Sequence, residues 1–268
     1  PRFHAGAASF RDFSPVAAPP ADLRFPYMLF ARRSAGRGRF SLISSGMPPA
    51  DARLFGAEPP DLGTATAEAL PRLQERLGAH LGVAPEQVIV TVGASSAMLV
   101  LALALFRGAR VAVELPSYEP LRALPELAGG ELRLFERGAR ERFALDPGRV
   151  RRALSGGRGP GHVLLTTPHN PSGAQAAPEA LRAAAEVAEE QGGFLISNEI
   201  YLEFAPRSVR RSALEVAPRA ISIGSLTKAY GLGALRLGWI ALGSQARDLR
   251  PRIEDAAFLD FVDLPTPV

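Results

Sequence analysis

The residue whose chemistry stands apart is Lys228, in Ser225-Leu226-Thr227-Lys228-Ala229-Tyr230-Gly231. Among the 31 Lys and Arg residues it is the only lysine. A chain that places Arg wherever a fixed positive charge suffices keeps an amine where a guanidinium cannot do the work. A partly desolvated amine loses its proton near neutral pH and attacks a carbonyl, whereas Arg stays protonated. The plain alternative is an arbitrary surface lysine. A second stretch, Thr91-Val92-Gly93-Ala94-Ser95-Ser96, ends a strand pattern and begins a helix pattern. Free backbone N–H groups and the helix dipole at such a junction favour an anion. Gly93 permits the tight turn, and Ser95 and Ser96 add hydroxyl donors; plain helix capping is the competing reading.

Ser225-x-x-Lys228, then Gly231, then Arg236-x-Gly238-Trp239 resemble the Schiff-base segment of the class I/II aminotransferases. These are aspartate aminotransferase-like enzymes of fold type I that depend on pyridoxal 5'-phosphate (PLP). The resemblance implies that Lys228 holds PLP as a Schiff base and that Ser225 and Arg236 bind its phosphate, together with the amides of Ala94, Ser95 and Ser96. Pro116-Ser117-Tyr118 resembles the family's P-x-Y segment, whose ring stacks on the pyridine. Pro168-His169-Asn170-Pro171-Ser172-Gly173 resembles its N-P-[ST]-G turn, where the Asn170 amide would donate to O3' of PLP. His169 is only a neighbour in that resemblance. Asn198-Glu199-Ile200-Tyr201 stands where the family has D-E-x-Y, so Tyr201 would also donate to O3' and serve beside Lys228 as a catalytic group. Asn198 replaces the aspartate that keeps the pyridine nitrogen protonated. Glu199 is a poor substitute, because adjacent strand residues point to opposite faces. Gly46, in Ile43-Ser44-Ser45-Gly46-Met47-Pro48, resembles the glycine that lies over the substrate, so Gly46 and Asn170 are the expected substrate-binding residues. The family's tyrosine ahead of the first helix of the large domain has no counterpart between Leu54 and Leu81. A rival reading takes Gly231-x-Gly233-x-x-Arg236 as a dinucleotide fingerprint, but Arg236 occupies the slot that needs a small residue.

Positioning these residues requires alternating strands and helices. Apolar runs at Val88–Val92, Val111–Val113, Val163–Thr167, Phe194–Ser197, Ile221–Ile223 and Leu237–Ala241 read as buried parallel strands. Helical patterns lie between them, at Ser96–Phe106, Pro178–Gln191 and part of Ser117–Leu127. Thr66 can cap a helix whose Leu70, Leu73, Leu77 and Leu81 share a face, with Pro71 delaying its first turn. Asp146-Pro147 opens a short helix, and another is expected from Ser244 to Leu259. The fold class is therefore α/β: a mostly parallel sheet flanked by helices. By resemblance it is the large PLP-binding domain of fold type I, spanning 61–268. Residues 1–60 read as an N-terminal arm with a short strand or two and part of an incomplete small domain. The family's substrate-carboxylate arginine would lie beyond Val268.

Composition bounds the rest. The chain has 268 residues, is 47% hydrophobic and 22% charged, and carries a net charge of +4. That is ordinary for a globular protein. No basic stripe interleaves with aromatics, so nucleic acid is not an expected partner. The absence of cysteine excludes disulfides and thiolate metal sites, and the four His show no metal-ligand spacing. The apolar run from Ala97 to Phe106 is about half the ~20 residues a membrane span needs. A cytoplasmic homodimer acting on an amino acid and a 2-keto acid is expected. Two alternatives stay open: a PLP-dependent lyase acting at Cβ, and a PLP-binding protein without turnover.

Overall fold

Short, nearly continuous apolar runs buried on both faces build most of a seven-stranded sheet in the computed structural model, which describes residues 24–34, 44–51, 53 and 66–261. The strands are β1 (Val88–Thr91), β2 (Arg110–Leu115), β3 (Glu131–Glu136), β4 (Gly161–Thr166), β5 (Leu195–Asn198), β6 (Ala220–Ser225) and β7 (Gly238–Leu242). Their spatial order is β1-β7-β6-β5-β4-β2-β3. The pairings β3 to β2, β2 to β4, β4 to β5 and β5 to β6 are all parallel.

Two strand expectations need correction. β7 is not parallel: it runs antiparallel to both neighbours, β6 and β1. Burial on both faces makes its sequence look like a parallel strand. Yet the loop between β6 and β7 holds only a 3-10 turn, Gly233–Leu235, and no helix to carry a parallel crossover. β3 is an edge strand with no counterpart among the expected strands: three of its six residues, Glu131, Arg133 and Glu136, are charged and only Phe135 is buried, so it lacks the apolar run of the others.

The helices are α1 (Pro26–Ser34), α2 (Thr66–Leu81), α3 (Gly93–Leu105), α4 (Glu119–Leu127), α5 (Pro147–Leu154), α6 (Pro178–Glu190), α7 (Ala213–Val216) and α8 (Arg250–Ala257). Pro71 does not delay α2. One lost backbone bond is offset by the Leu70, Leu73, Leu77 and Leu81 stripe, which packs on Val88, Val90 and Trp239. α5 starts as expected, with Asp146 accepting from Gly148 N at 2.8 Å. α8 starts later than expected, because Pro251 suits only a first turn. The strand or two expected within 1–60 do not occur among the described residues, where Pro26–Ser34 is helical; the remainder of that expectation lies outside them.

The strands feed two layers. Val111, Val113, Leu164, Ile196, Ile221 and Ile223 face α3 and α8. Ala112, Val163, Leu165 and Leu195 face α5, α6 and α7. Between β2 and β3 the core holds an ion pair, Glu114 to Arg137 at 2.8 Å, with both side chains fully buried. Arg137 also donates to Phe143 O, and Glu114 accepts from Thr166 N at 2.6 Å. Burial pushes Glu114 up to about 7, and the Arg137 guanidinium opposes that rise. The pair ties the ends of β2 and β4 to the strand beside them, below the loops that follow. Removing one partner strands a buried charge. Arg137→Met should therefore destabilise the fold by roughly 3–5 kcal/mol, and adding Glu114→Leu should recover most of the loss. Urea denaturation midpoints of the two variants test this; equal stability of Arg137→Met and wild type would show the pair to be dispensable.

Candidate active site

The C-terminal ends of β1, β2, β4, β5 and β6 open onto one edge of the sheet. Because β7 runs the other way, its first residues reach the same edge. Gly238 pairs with Thr91 on one side and Ser225 on the other. A cavity of about 620 Å³ lies there. It is lined by Ala94, Ser95, Tyr118, Asn170, Asn198, Tyr201, Ser225, Lys228 and Arg236, nine of the residues expected from the sequence.

Lys228 sits on the loop after β6, half-buried. Its Nζ donates to Ser45 Oγ at 2.8 Å. Burial pulls its amine below the usual lysine range, toward the neutral nucleophile. The 44–51 segment crosses directly over it: Met47 N donates to Lys228 O at 2.8 Å and Ala50 N to Gly231 O at 3.0 Å. A Cβ on Gly46 would stand 3.0 Å from Lys228 O and 3.2 Å from its Cα. Gly46 therefore covers the Lys228 backbone and is not itself among the lining residues, where its neighbour Ser45 is.

The anion cradle is assembled from three strands. Gly93 adopts φ +82°, and a Cβ there would lie 2.9 Å from Arg236 Nη2, so the guanidinium rests against the start of α3. Arg236 itself holds a left-handed conformation, φ 52°. Such a conformation costs a non-glycine residue about 1 kcal/mol, and it turns the side chain toward the Val92 carbonyl at 3.4 Å. Ser225 is buried at the end of β6. Ser96 departs from expectation: its hydroxyl donates to Asp260, and it does not line the cavity.

Tyr118 is the N-cap residue of α4 and packs partly on the core. Asn170 is held by a turn in which Gly173 N donates to His169 O at 2.7 Å, with Gly173 at φ +74°. His169 is buried and pinned on both nitrogens. A carbonyl only accepts, so Nε2–H donates to Pro116 O at 2.8 Å and Nδ1 accepts from Ser172 Oγ at 2.7 Å. Burial, then Arg137, pulls its pKa down to about 4. A neutral ring thus straps the Asn170 turn to the Tyr118 loop, a contact that the sequence, where His169 is only a neighbour, does not reveal.

Asn198 is buried, lines the cavity and makes one weak contact, Nδ2 to Met98 Sδ at 3.9 Å. Its Oδ1 has no partner. Glu199 points away, as strand alternation requires: it accepts from Ser212 Oγ, Ala213 N and Ser222 Oγ. Burial raises the Tyr201 phenol pKa, opposed by a hydrogen bond with Ser45. Ser45 therefore bonds Lys228 and lies beside the Tyr201 phenol. Sequence reading passed over it, although it precedes Gly46; the one available signal was its place in that segment.

These residues fit a flat ring carrying a phosphate. The Gly93–Arg236 notch and the start of α3 suit the dianion, Tyr118 offers a ring face, and the unpartnered Asn198 amide marks where a polar ring atom would be met. Among the described residues, no group of three or more His, Cys, Asp or Glu is placed to hold a metal ion, and no helix is long and apolar enough to cross a membrane.

The sequence model of the family Aminotransferase class I and II matches residues 49–257. The chain is 32% identical to the aspartate/prephenate aminotransferase of Thermus thermophilus over 63% of this chain and 46% of the relative. It is 31% identical to the histidinol-phosphate aminotransferase of Yersinia enterocolitica, over 82% and 57%. Among solved structures, Thermus thermophilus aspartate aminotransferase with maleate superposes with a TM-score of 0.64 at 26% identity, covering 90% of this chain and 58% of that one. An aminotransferase from Mycobacterium tuberculosis shares the fold at TM-score 0.73 and 24% identity, over 90% and 65%. The chain spans about half the length of the curated relatives it matches. With the strand-end residues already gathered around one desolvated lysine, the match over residues 49–257 establishes that the chain belongs to the class I and II aminotransferases.

Proposed function

We propose that this chain forms the PLP-binding body of an aminotransferase that moves an amino group between an amino acid and a 2-keto acid. The observation that carries this reading is the chain's only lysine, desolvated, in a cavity walled by an anion cradle. Members of the family are PLP-dependent. When bound, PLP supplies an electron sink that makes a proton on the substrate's Cα removable. Lys228 Nζ is the group that would anchor the cofactor and move that proton. Arg236, Ser225 and the first amides of α3, from Ala94 and Ser95, would hold the phosphate. Tyr118 would cover the ring and exclude water. Asn170 and Tyr201 would donate hydrogen bonds to the ring oxygen, and Ser45 would orient both Lys228 and Tyr201. Residues 61–268 then constitute the large domain. The reading extends to a cytoplasmic homodimer, as the resemblance implies. A lyase of the same fold is separated from it by keto-acid formation that requires no amino acceptor.

Three predictions follow from these assignments. Borohydride treatment after incubation with PLP should label the peptide that contains Lys228. With no second lysine to compete, an unlabelled protein would sink the reading. Arg236→Ala should weaken PLP binding by about ten- to a hundredfold, since a charge-assisted contact contributes roughly 1.5–3 kcal/mol. Arg236→Lys should recover little, because the notch beside Gly93 fits a planar fork. An unchanged dissociation constant for Arg236→Ala would return this residue to a structural role.

Asn198 generates the third. It carries no charge to hold a proton on the pyridine nitrogen, and each pKa unit of such a hold is worth about 1.4 kcal/mol. The nitrogen should therefore be largely unprotonated at neutral pH and turnover slow. Asn198→Asp, nearly isosteric, should shift the pH dependence of the bound cofactor's absorbance. It should also speed single-turnover keto-acid formation at least tenfold. Identical pH titrations for the two proteins would mean that Asn198 does not meet the ring nitrogen.

A further inference from the structure

The cavity has more positive charge than the cofactor reading uses. Its lining carries three cationic residues, Arg122, Lys228 and Arg236, and one carboxylate, Glu119. Arg236 rests on the start of α3, where the phosphate belongs. Lys228 is the covalent anchor. Arg122 remains without an assigned partner.

Its natural neighbour is occupied. Glu119 lies one turn earlier on α4, but both its oxygens are taken by α1. Oε1 accepts from Tyr27 N at 3.0 Å and Oε2 from Met28 N at 3.3 Å. Those are amides at the start of a helix, which have no partner within it and favour a carboxylate. Among the described residues, no carboxylate lies within ion-pair distance of Arg122 and none of its donors makes a hydrogen bond. Arg122 lies on the first turn of α4, four residues after the N-cap Tyr118, and is exposed. It borders the cavity together with Tyr118 and with Tyr27 and Met28 of α1.

We infer that Arg122 is a specificity-determining residue, binding an anionic group at the end of the substrate's side chain. The substrate class is then an amino acid whose side chain ends in a carboxylate or a phosphate. This rests on the cofactor reading above, which gives the cavity its substrate. A planar fork of N–H donors suits either anion. Glu119 contributes indirectly: by turning its charge to α1, it leaves Arg122 free and fixes Tyr27 and Met28 as the facing wall. An apolar side chain in the same place would leave the guanidinium unanswered and gain nothing from it.

The test uses the 268-residue chain loaded with PLP and three unreactive probes: succinate, 3-phosphonopropionate and butyrate. Binding is read by calorimetry. Succinate or 3-phosphonopropionate should bind at least tenfold more tightly than butyrate, and the tighter of the two names the terminal anion. Arg122→Gln should erase that preference while leaving butyrate binding unchanged, and Arg122→Lys should restore part of it. Borohydride labelling of Lys228 is followed in parallel. If labelling persists and Arg122→Gln keeps the full preference, or wild type shows none, the inference is overturned while the cofactor reading stands. If Lys228 is not labelled, the cofactor reading fails and the inference falls with it.

Discussion

The site depends on the seating of β7 between β1 and β6. Antiparallel pairing on both sides sets Gly238 opposite Thr91 and Ser225. That register places the residue before the strand, Leu237, and the left-handed Arg236 at the edge where five other strands finish. The fit leaves no slack. A Cβ on Gly238 would come within 2.4 Å of Gly93 C, and one on Gly224 within 2.3 Å of the Trp239 ring. A slip of one residue would turn every β7 side chain to the wrong face and take the guanidinium from the cradle. The placement of Arg236 against Gly93 is thus a consequence of strand register more than of any single side chain.

Much of this was legible in the sequence, and for identifiable reasons. A single lysine among so many arginines, strand-like runs ending in Gly93, Tyr118, Asn170 and Asn198, and a fixed order of short motifs all point to the same sheet edge. The direction of β7 was not legible, because a buried strand reads alike in either direction and only the short connection decides. The edge strand β3 was hidden by its charges. The Ser96 hydroxyl was not legible, because a serine in the first turn of a helix can face the cavity or the flank, and Asp260, far away in sequence, takes its hydrogen bond at the flank. Ser45 and Arg122 carried no pattern of their own. What reveals them is what they touch, or in Arg122's case what they do not.

Asn198 and Glu199 show how alternation in a strand separates two roles that composition would merge. The carboxylate of this pair is spent in a closed set of three donors, Ser212, Ala213 and Ser222, on the far side of β5. Burial raises its pKa, and those donors pull it back. It cannot turn to the cavity without leaving three donors unanswered. The cavity side holds a neutral amide with a free oxygen and a sulfur contact too weak to fix it. Such an amide can present either a donor or an acceptor to a ring atom, whereas a carboxylate could only accept.

The wall opposite the sheet edge follows a different logic. α1 has no buried residue of its own, and Tyr27, Leu29 and Phe30 are all more exposed than not or nearly so. A nine-residue helix is too short to hold itself together in water. Its position rests on contacts at its first turn, where Glu119 receives two of its amides. Glu119 in turn starts α4 immediately after Tyr118, so the clasp on α1 and the placement of the aromatic ring share one backbone junction. A side chain that serves as the first acid of one helix and the N-terminal acceptor of another couples the two walls of the cavity. Glu119 thus links α1 to the residue next to the ring. With Glu119 engaged there, Arg122 farther along α4 has no carboxylate partner among the described residues.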